Sequence, residues 1–327
     1  TKKQISTFHL GGVQKKQISL PFVNLSTQEA VNQRLILLSD NSKDESKTLE
    51  EIFKEKRKAL KNAEGRVQKE KIIADLLIAC LWQGGTKKEK TDRIARIRDE
   101  IEHWYSGGNR ELSAEANFLL SSLYHGEFGF KPFHWELEFP EIFQKENFGF
   151  DVIVGNPPFM GKNTLAKSAG PTYGGLLGSL FPHVHGNSDL YVYFFLKVSE
   201  LLLAKNRCAG MISSSSINQG ENRRSGLNHM IVKQGVELYD VTQEMVWPVS
   251  GANVVISITH FMNGNWTAQK YIDQQEVSQI NSEFENLEEP KEPIPLKRNA
   301  HLSFRGTIIL GMGFTISLEQ KDALILL

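Results

Sequence analysis

The sequence predicts an α/β protein built on a doubly wound sheet, and two observations support this class. Up to about Phe130 the patterns are helical, and after it short apolar runs alternate with longer helical segments. Strands and helices that alternate at this spacing are typical of a sheet with crossover helices. Hydrophobic residues make up 40% and charged residues 23% of the 327-residue chain, which is close to the globular average and excludes a disordered protein.

Helices are predicted throughout the part of the chain before Phe130. They are placed near 48–62, 67–81, 87–104 and 113–124. Gly84-Gly85 and Gly107-Gly108-Asn109 separate several of them, as glycine does where helices end. The segment 71–82 is apolar nearly all round, which predicts burial against a larger body.

Strands are predicted after Phe130. The stretch 131–140 alternates in the manner of a strand, and 151–155 is predicted to be a buried strand. The following elements are an apolar-striped helix at 190–203, a strand at 208–214, a helix at 222–233, and strands at 236–242 and 253–261. The last two strands have no crossover helix between them, which predicts an antiparallel hairpin at one edge.

The same patterns suggest three parts of the chain. A helical region covers 1–130, a core of strands and helices covers 131–263, and a linker with the start of a further region covers 264–327. The Pro- and Glu-rich stretch 288–295 has the composition of a domain boundary.

Composition excludes some classes of function. The chain has 38 Lys and Arg residues and 38 Asp and Glu residues. It therefore lacks the excess of basic residues that would indicate a nucleic-acid partner. No apolar run is long enough to cross a membrane and no amino-terminal signal is present, which predicts a soluble protein with no membrane partner. Cys80 and Cys208 match no metal or redox spacing, so no metal site is predicted and a reducing compartment is favoured.

One motif concentrates the chemical signal of the chain. The apolar strand around Val152 runs directly into Asn156-Pro157-Pro158-Phe159. Two prolines remove two backbone donors and fix φ near −65°, so the chain leaves the sheet abruptly in a rigid, extended shape. Ligands of open α/β sheets bind at the carboxyl ends of the strands, and this motif places an amide, a free carbonyl and an aromatic ring there. The motif therefore predicts a functional site.

The motif and its surroundings resemble the adenine-N6 DNA methyltransferases, whose catalytic motif is Asn-Pro-Pro-Tyr/Phe after the fourth strand. The resemblance is closest to the large single-chain enzymes of restriction-modification and phage-defence systems, and it extends from Phe133 to Phe261 and more loosely over 303–314. It implies a partial Rossmann-like methyltransferase sheet containing the fourth to seventh strands. On this resemblance 1–130 is a helical insert, and 264–327 leads into a target-recognition region.

The resemblance also implies the reaction and its participants. The chain is expected to transfer a methyl group from S-adenosylmethionine to the N6 amine of an adenine flipped out of double-stranded DNA. It is expected to act in the prokaryotic cytoplasm, with a specificity domain or subunit beyond residue 327.

Site residues follow from the same resemblance. Asn156 Oδ1 and the Pro157 carbonyl are expected to accept hydrogen bonds from the adenine amine, at a corner that Pro158 makes rigid, while Phe159 stacks on the base. Asp189 and Phe194 are expected to border the cofactor. The alternative for Asp189 is an ordinary helix N-cap, and the alternative for Phe194 is core packing.

Three further residues are candidates. Trp247 is expected to pack on the other side of the base, or else to cover the sheet edge. Arg223 and Arg224 open a predicted helix, where they can reach phosphate or remain ordinary exposed residues.

Two alternatives stay open at this point. Glutamine methyltransferases that act on protein also use Asn-Pro-Pro with an aromatic residue, so a protein or RNA substrate remains possible. A non-catalytic DNA-binding module is the other alternative. The cofactor-binding motif of the family, an acidic residue with a glycine-rich loop, does not precede Asn156. The stretch 310–314 lacks the acidic partners of such a loop. We therefore expect this chain alone to bind cofactor weakly or not at all, and its sheet to expose an apolar edge.

Overall fold

A computed structural model describes residues 48–106, 111–143, 149–184, 187–247 and 254–291. The predictions made for 107–109 and for 303–314 lie outside these residues. The chain divides into two compact units, Thr1–Glu289 and Pro290–Leu327, and every element described below belongs to the first. The division falls within the Pro- and Glu-rich stretch.

Four helices form the amino-terminal part of the described chain. They are α1 (Leu49–Arg66), α2 (Gln68–Trp82), α3 (Lys87–Ser106) and α4 (Ala114–His125), which confirms the four helices predicted from sequence. Local signals set their starts: Thr48 and Glu51 form a capping box before α1. Ser113 caps α4 by accepting a hydrogen bond from the Ala116 N–H. Helix α2 is buried along most of its length, as its apolar sequence predicts.

The strand predicted at 131–140 is wrong. This stretch forms two short helical turns, α5 (Trp135–Glu138) and α6 (Pro140–Phe143). His134 binds Asp75 of α2 through Nε2 at 2.7 Å, and Trp135 and Phe139 pack against Phe150. These tertiary contacts, which pattern alone does not show, override the weak alternation of the segment.

A six-stranded mixed sheet forms the second part, and the α/β class is confirmed. Its strands are β1 (Phe150–Gly155), β2 (Leu203–Ser214), β3 (Glu237–Val246), β4 (Val255–Met262), β5 (Lys270–Ile272) and β6 (Gln275–Val277), in the order β1-β2-β4-β3-β5-β6. β1 and β2 are parallel, and β4 is antiparallel to both β2 and β3. The predicted hairpin of β3 and β4 is therefore present, and β5 and β6 extend the sheet beyond it.

Helices connect the strands. Between β1 and β2 lie α7 (Lys162–Ala169), α8 (Pro171–Leu180), α9 (Leu190–Lys197) and a π-helical segment, Val198–Leu202. Between β2 and β3 lie a 3₁₀ turn (Ser215–Asn218), α10 (Gly220–Arg223) and two π-helical segments, Arg224–Asn228 and Met230–Gln234. The helical region and the sheet meet at an aromatic cluster in which Trp82 and Phe130 pack edge-on at 5.2 Å, with Tyr173 of α8 beside them.

The two faces of the sheet differ in exposure. Ala209, Met211 and Phe261 lie in the core with residues of α9. On the opposite face Val152 and Val154 are 65% and 83% exposed. The prediction that β1 is a buried strand is thus wrong, because β1 has one partner among the described strands and only one of its faces packs against the core.

Candidate functional site

The Asn156-Pro157-Pro158-Phe159 loop leaves the sheet at the carboxyl end of β1. Asn156 is exposed, Pro157 is buried, and the Phe159 ring is 37% exposed. The Pro158 carbonyl accepts a hydrogen bond from the Met160 N–H at 3.1 Å. No hydrogen bond between described residues uses the Asn156 amide or the Pro157 carbonyl. Neither oxygen has a partner among the described residues, and of the two residues only Asn156 is exposed.

The loop is fastened to the start of α9. The Leu190 N–H donates to the Met160 carbonyl at 2.8 Å. Asp189 occupies the N-cap position of α9, but its side chain makes no capping hydrogen bond. A Cβ added at Gly161 would lie 3.2 Å from Asp189 Oδ1, so glycine lets the carboxylate approach the loop closely.

Asn222 holds Asp189 in place from the other side of the site. Its Nδ2 donates to Asp189 Oδ2 at 2.9 Å, and its Oδ1 accepts from the Asp189 N–H at 2.8 Å. The same Nδ2 also donates to the Tyr191 hydroxyl at 2.7 Å. This reciprocal pair explains why the Asp189 carboxylate is not used as a cap.

Tyr191 completes a polar network beneath the loop. Its hydroxyl lies 3.0 Å from the hydroxyls of both Ser214 and Ser216. Burial raises the pKa of Tyr191 to about 12, although the hydrogen bonds with the two serine hydroxyls lower it. The phenol is therefore neutral. The Tyr191 ring meets Phe159 edge-on, with centroids 6.0 Å apart and planes at 82°. The network thus supports the exposed aromatic ring from below.

The sequence analysis assigned no role in the site to Tyr191, Ser214, Ser216 or Asn222. A signal for three of them exists, since Ser214 ends β2, Ser216 and Asn222 lie in the turn and the helix that follow it, and the carboxyl ends of adjacent parallel strands meet at one edge. Tyr191 lies two residues after Asp189, in an apolar helix that gives no sign of a polar role.

The structure does not bring the other predicted residues into this network. Phe194 lies about 7 Å along the α9 axis from Asp189 and is 42% exposed. The Trp247 N–H donates to the Val254 carbonyl at 2.9 Å, and the loop 248–253 lies outside the described residues. β3 ends at the same edge as β1 but three strand spacings away, so Trp247 lies about 14 Å to the side of β1.

The two arginines after β2 are engaged within the chain. Arg223 lies near the carboxylates of Glu283 and Glu289, at 3.6 and 3.9 Å. Arg224 pairs with Glu221 at 2.8 Å, one helical turn away. Both arginines already have anionic partners, so a phosphate would have to displace them.

The donor and acceptor set fits one part of a methyltransferase pocket. The exposed Asn156 amide and the Pro157 carbonyl, which no described hydrogen bond uses, are acceptors of the kind that an aromatic base with an amine requires, and an exposed aromatic ring follows them in the loop. For the cofactor, the described residues offer only the Asp189 carboxylate and the exposed Phe194 ring, and the sequence has no glycine-rich loop before Asn156. Within the part of the chain that the structure describes, these residues therefore do not form a complete S-adenosylmethionine site.

Comparison with protein families identifies the family of the chain. Residues 22–247 match the Eco57I restriction-modification methylase family, which is more than half of the chain. The chain belongs to the Eco57I restriction-modification methylase family. No curated protein matches it.

Among solved structures, the chain is similar to the Type IIL restriction-modification enzyme MmeI, determined in complex with DNA. The identity is 17% and the TM-score 0.38, over 68% of this chain and 38% of the MmeI chain. The chain thus spans well under half the length of that enzyme. Among the described helices, none has the length and apolar character that a membrane crossing requires.

Proposed function

We propose that this chain carries the target-base site of an adenine-N6 DNA methyltransferase in a restriction-modification or defence system. Its substrates are then S-adenosylmethionine and double-stranded DNA. The observation that supports this most strongly is the exposed Asn156 amide at the carboxyl end of β1, next to a Pro157 carbonyl that no described hydrogen bond uses. Membership in the methylase family supports the same proposal.

The proposed chemistry depends on hydrogen-bond acceptors. The lone pair of an exocyclic adenine amine is delocalised into the ring, which makes the amine a poor nucleophile. Asn156 Oδ1 and the Pro157 carbonyl accept its two N–H bonds and draw the nitrogen toward a tetrahedral shape. Because a rigid loop holds both acceptors in advance, they cost little reorganisation during the reaction. The cofactor, when bound, supplies the methyl group.

The remaining residues position the base. An adenine inside a duplex is out of reach of these acceptors, so the base must leave the stack. Phe159 offers its exposed face to the flipped base, while Tyr191 fixes the ring from the edge. Asp189, held by Asn222, lies beside the loop and borders the cofactor in this proposal.

The test is methyl transfer by the full-length protein with labelled S-adenosylmethionine and three separate acceptors, duplex DNA, RNA and protein. We expect label in DNA, recovered as N6-methyladenine by mass spectrometry of the nucleosides. Label in protein or RNA alone, or in cytosine, would contradict the proposal.

Variants connect that activity to the site. Asn156→Ala should abolish methyl transfer and leave DNA affinity within a few fold, because it removes an acceptor of the transition state and no phosphate contact. Asn156→Asp keeps an acceptor oxygen and should retain part of the activity. Asn117→Ala is the matched control, since Asn117 is exposed on α4 in the helical region. Full activity of Asn156→Ala would refute the assignment.

A further inference from the structure

A second group of chemically capable side chains lies away from the Asn156 loop. His183, between α8 and α9, meets Glu200 of the first π-helical segment and His229, which lies between the other two. One ligand atom from each residue lies within 4.8 Å of the others. Glu200 is 11 positions beyond Asp189 along a mostly helical path, or roughly 15 Å, so the group is distinct from the base site.

The spacing of these atoms is close to that of a metal's ligand shell. Glu200 Oε1 lies 3.7 Å from His183 Nε2 and 3.6 Å from His229 Nε2. Two ligands of a tetrahedral zinc ion, each about 2.0 to 2.1 Å from the metal, lie roughly 3.3 to 3.5 Å apart. The two imidazole rings are nearly parallel, at 11° and 3.9 Å, so coordination requires one ring to turn about its Cβ–Cγ bond.

The polar atoms of the group are incompletely satisfied. His183 Nε2 is buried and has no hydrogen-bond partner, and the same holds for Gln234 Oε1. Gln234 Nε2 donates to Glu200 Oε1 at 2.9 Å, which orients the carboxylate as an outer-shell residue does in metal sites. Buried polar atoms without partners are rare in folded proteins, and a bound ion is one explanation for them.

We infer that His183, Glu200 and His229 bind a divalent transition-metal ion of the zinc type. Imidazole and carboxylate ligands suit such ions, and three protein ligands leave one position for water. Each of the three side chains is about a quarter exposed, at 29%, 26% and 24%, so solvent reaches the group from one side. The ion then ties the turn before α9 to the segments that follow α9 and α10. π-Helical segments, which are frequent at functional sites, supply or flank two of the ligands.

A positive charge already acts on the group, because Lys197 interacts with Glu200, so a bound ion has to compete with Lys197 for that carboxylate.

The test is a calorimetric titration of the metal-free chain with zinc chloride at about pH 8, because metal ligands bind in their deprotonated forms. We expect saturable binding of zinc by the wild-type chain, weakened at least tenfold in His183→Ala and in His229→Ala. His103→Ala is the matched control, because His103 is exposed on α3, and it should bind as the wild type does. Cobalt bound to the wild-type chain should show the strong visible absorption of tetrahedral coordination.

Unchanged or absent zinc binding would overturn the inference. The inference fails if the wild-type chain shows no saturable binding, or if His183→Ala and His229→Ala bind zinc as tightly as the wild type. Should the alanine variants not fold, judged by circular dichroism, Glu200→Gln replaces them because it keeps the shape of the side chain and removes the charged ligand. Unchanged affinity in Glu200→Gln overturns the inference equally.

Discussion

Two aspartates organise polar networks in the two parts of the molecule, and they differ in how much of the carboxylate is in use. Asp75 of α2 is 3% exposed, and its two oxygens bind the Tyr124 hydroxyl and His134 Nε2. Asp189 is partly exposed, and its side-chain hydrogen bond from Asn222 uses Oδ2, while Oδ1 faces Gly161. The first arrangement is structural, and the second keeps an oxygen near the candidate site.

The presence of a cavity does not distinguish a structural carboxylate from one that can bind a ligand. Asp75, Tyr124 and His134 line a cavity of about 580 Å³ between α2 and α4. Burial raises the pKa of Tyr124, and its hydrogen bond to Asp75 acts in the same direction, so this phenol stays neutral. A carboxylate that is fully bound within the protein has little capacity for a ligand, whatever the volume beside it.

The largest expected effect comes from exchanging the two aspartates for alanine. Asp75→Ala removes the buried carboxylate that binds both the half-buried Tyr124 phenol and the buried His134 imidazole, and should lower the free energy of unfolding by about 3 to 5 kcal/mol. Asp189→Ala should cost about 1 kcal/mol or less, because its site is partly solvated, yet it should reduce methyl transfer strongly. Urea unfolding and the methyl-transfer assay measure the two quantities. Equal losses of stability would remove the distinction between the networks.

The next effect concerns an exposed aromatic ring in each part. Phe159→Ala should weaken productive base capture by about 1 to 3 kcal/mol, which is the usual range for base stacking on an aromatic side chain. Phe118 of α4 is 65% exposed and serves as the matched control. DNA binding and methyl transfer by Phe118→Ala should equal those of the wild type. If Phe159→Ala also matches the wild type in both assays, the ring is only structural.

A smaller effect is expected where the two parts meet, at Glu136 of α5. Burial raises its pKa to about 8, so the folded state keeps a proton that the unfolded state loses near pH 4.5. Stability is therefore fully present below pH 4.5 and is lost as the pH rises toward 8. Lys197, with its pKa lowered to about 7, has no opposing effect below that pH because it is charged in both states.

Glu136→Gln tests this dependence. The variant should gain stability relative to the wild type between pH 5 and pH 7, on the order of 1 kcal/mol once relaxation around the side chain is allowed for. Unfolding curves at the two pH values measure the difference. A constant difference would show that Glu136 is already ionised in the folded protein.

Sequence predicts the locally encoded features well and the long-range ones poorly. The helix starts are predictable because Thr48 and Glu51, three positions apart, carry the whole capping signal. The helical turn at 135–138 is not predictable from local sequence, because it depends on a contact between His134 and Asp75, which are 59 positions apart. The candidate site divides in the same way. Its motif is contiguous, but the Asn222 that holds Asp189 is 33 positions distant.

The exposure of β1 has a similar physical cause. An apolar strand sequence predicts burial on both faces, whereas burial depends on which elements cover each face. The face that carries Val152 and Val154 is open, and the paired residue Cys208 on β2 lies on it and is partly exposed. No local pattern distinguishes a covered face from an open one.

The smallest perturbation, labelling of the two cysteines, compares the packing of the two parts directly. Cys80 of α2 is fully buried, and burial raises the pKa of its thiol to about 12, so it is unreactive in the folded state. Cys208 lies on the open face of the sheet. Iodoacetamide should therefore label Cys208 alone in the native protein and both cysteines in concentrated urea, as peptide mass spectrometry can show.

The matched variants determine what each outcome means. Cys208→Ser should abolish native labelling, and Cys80→Ala should leave its rate unchanged. If Cys80 is labelled at a rate comparable to that of Cys208, the helical region must open often enough to expose the Cys80 thiol. The buried network around Asp75 would then be too mobile for the large stability loss expected of Asp75→Ala, so this mild experiment also checks the strongest prediction.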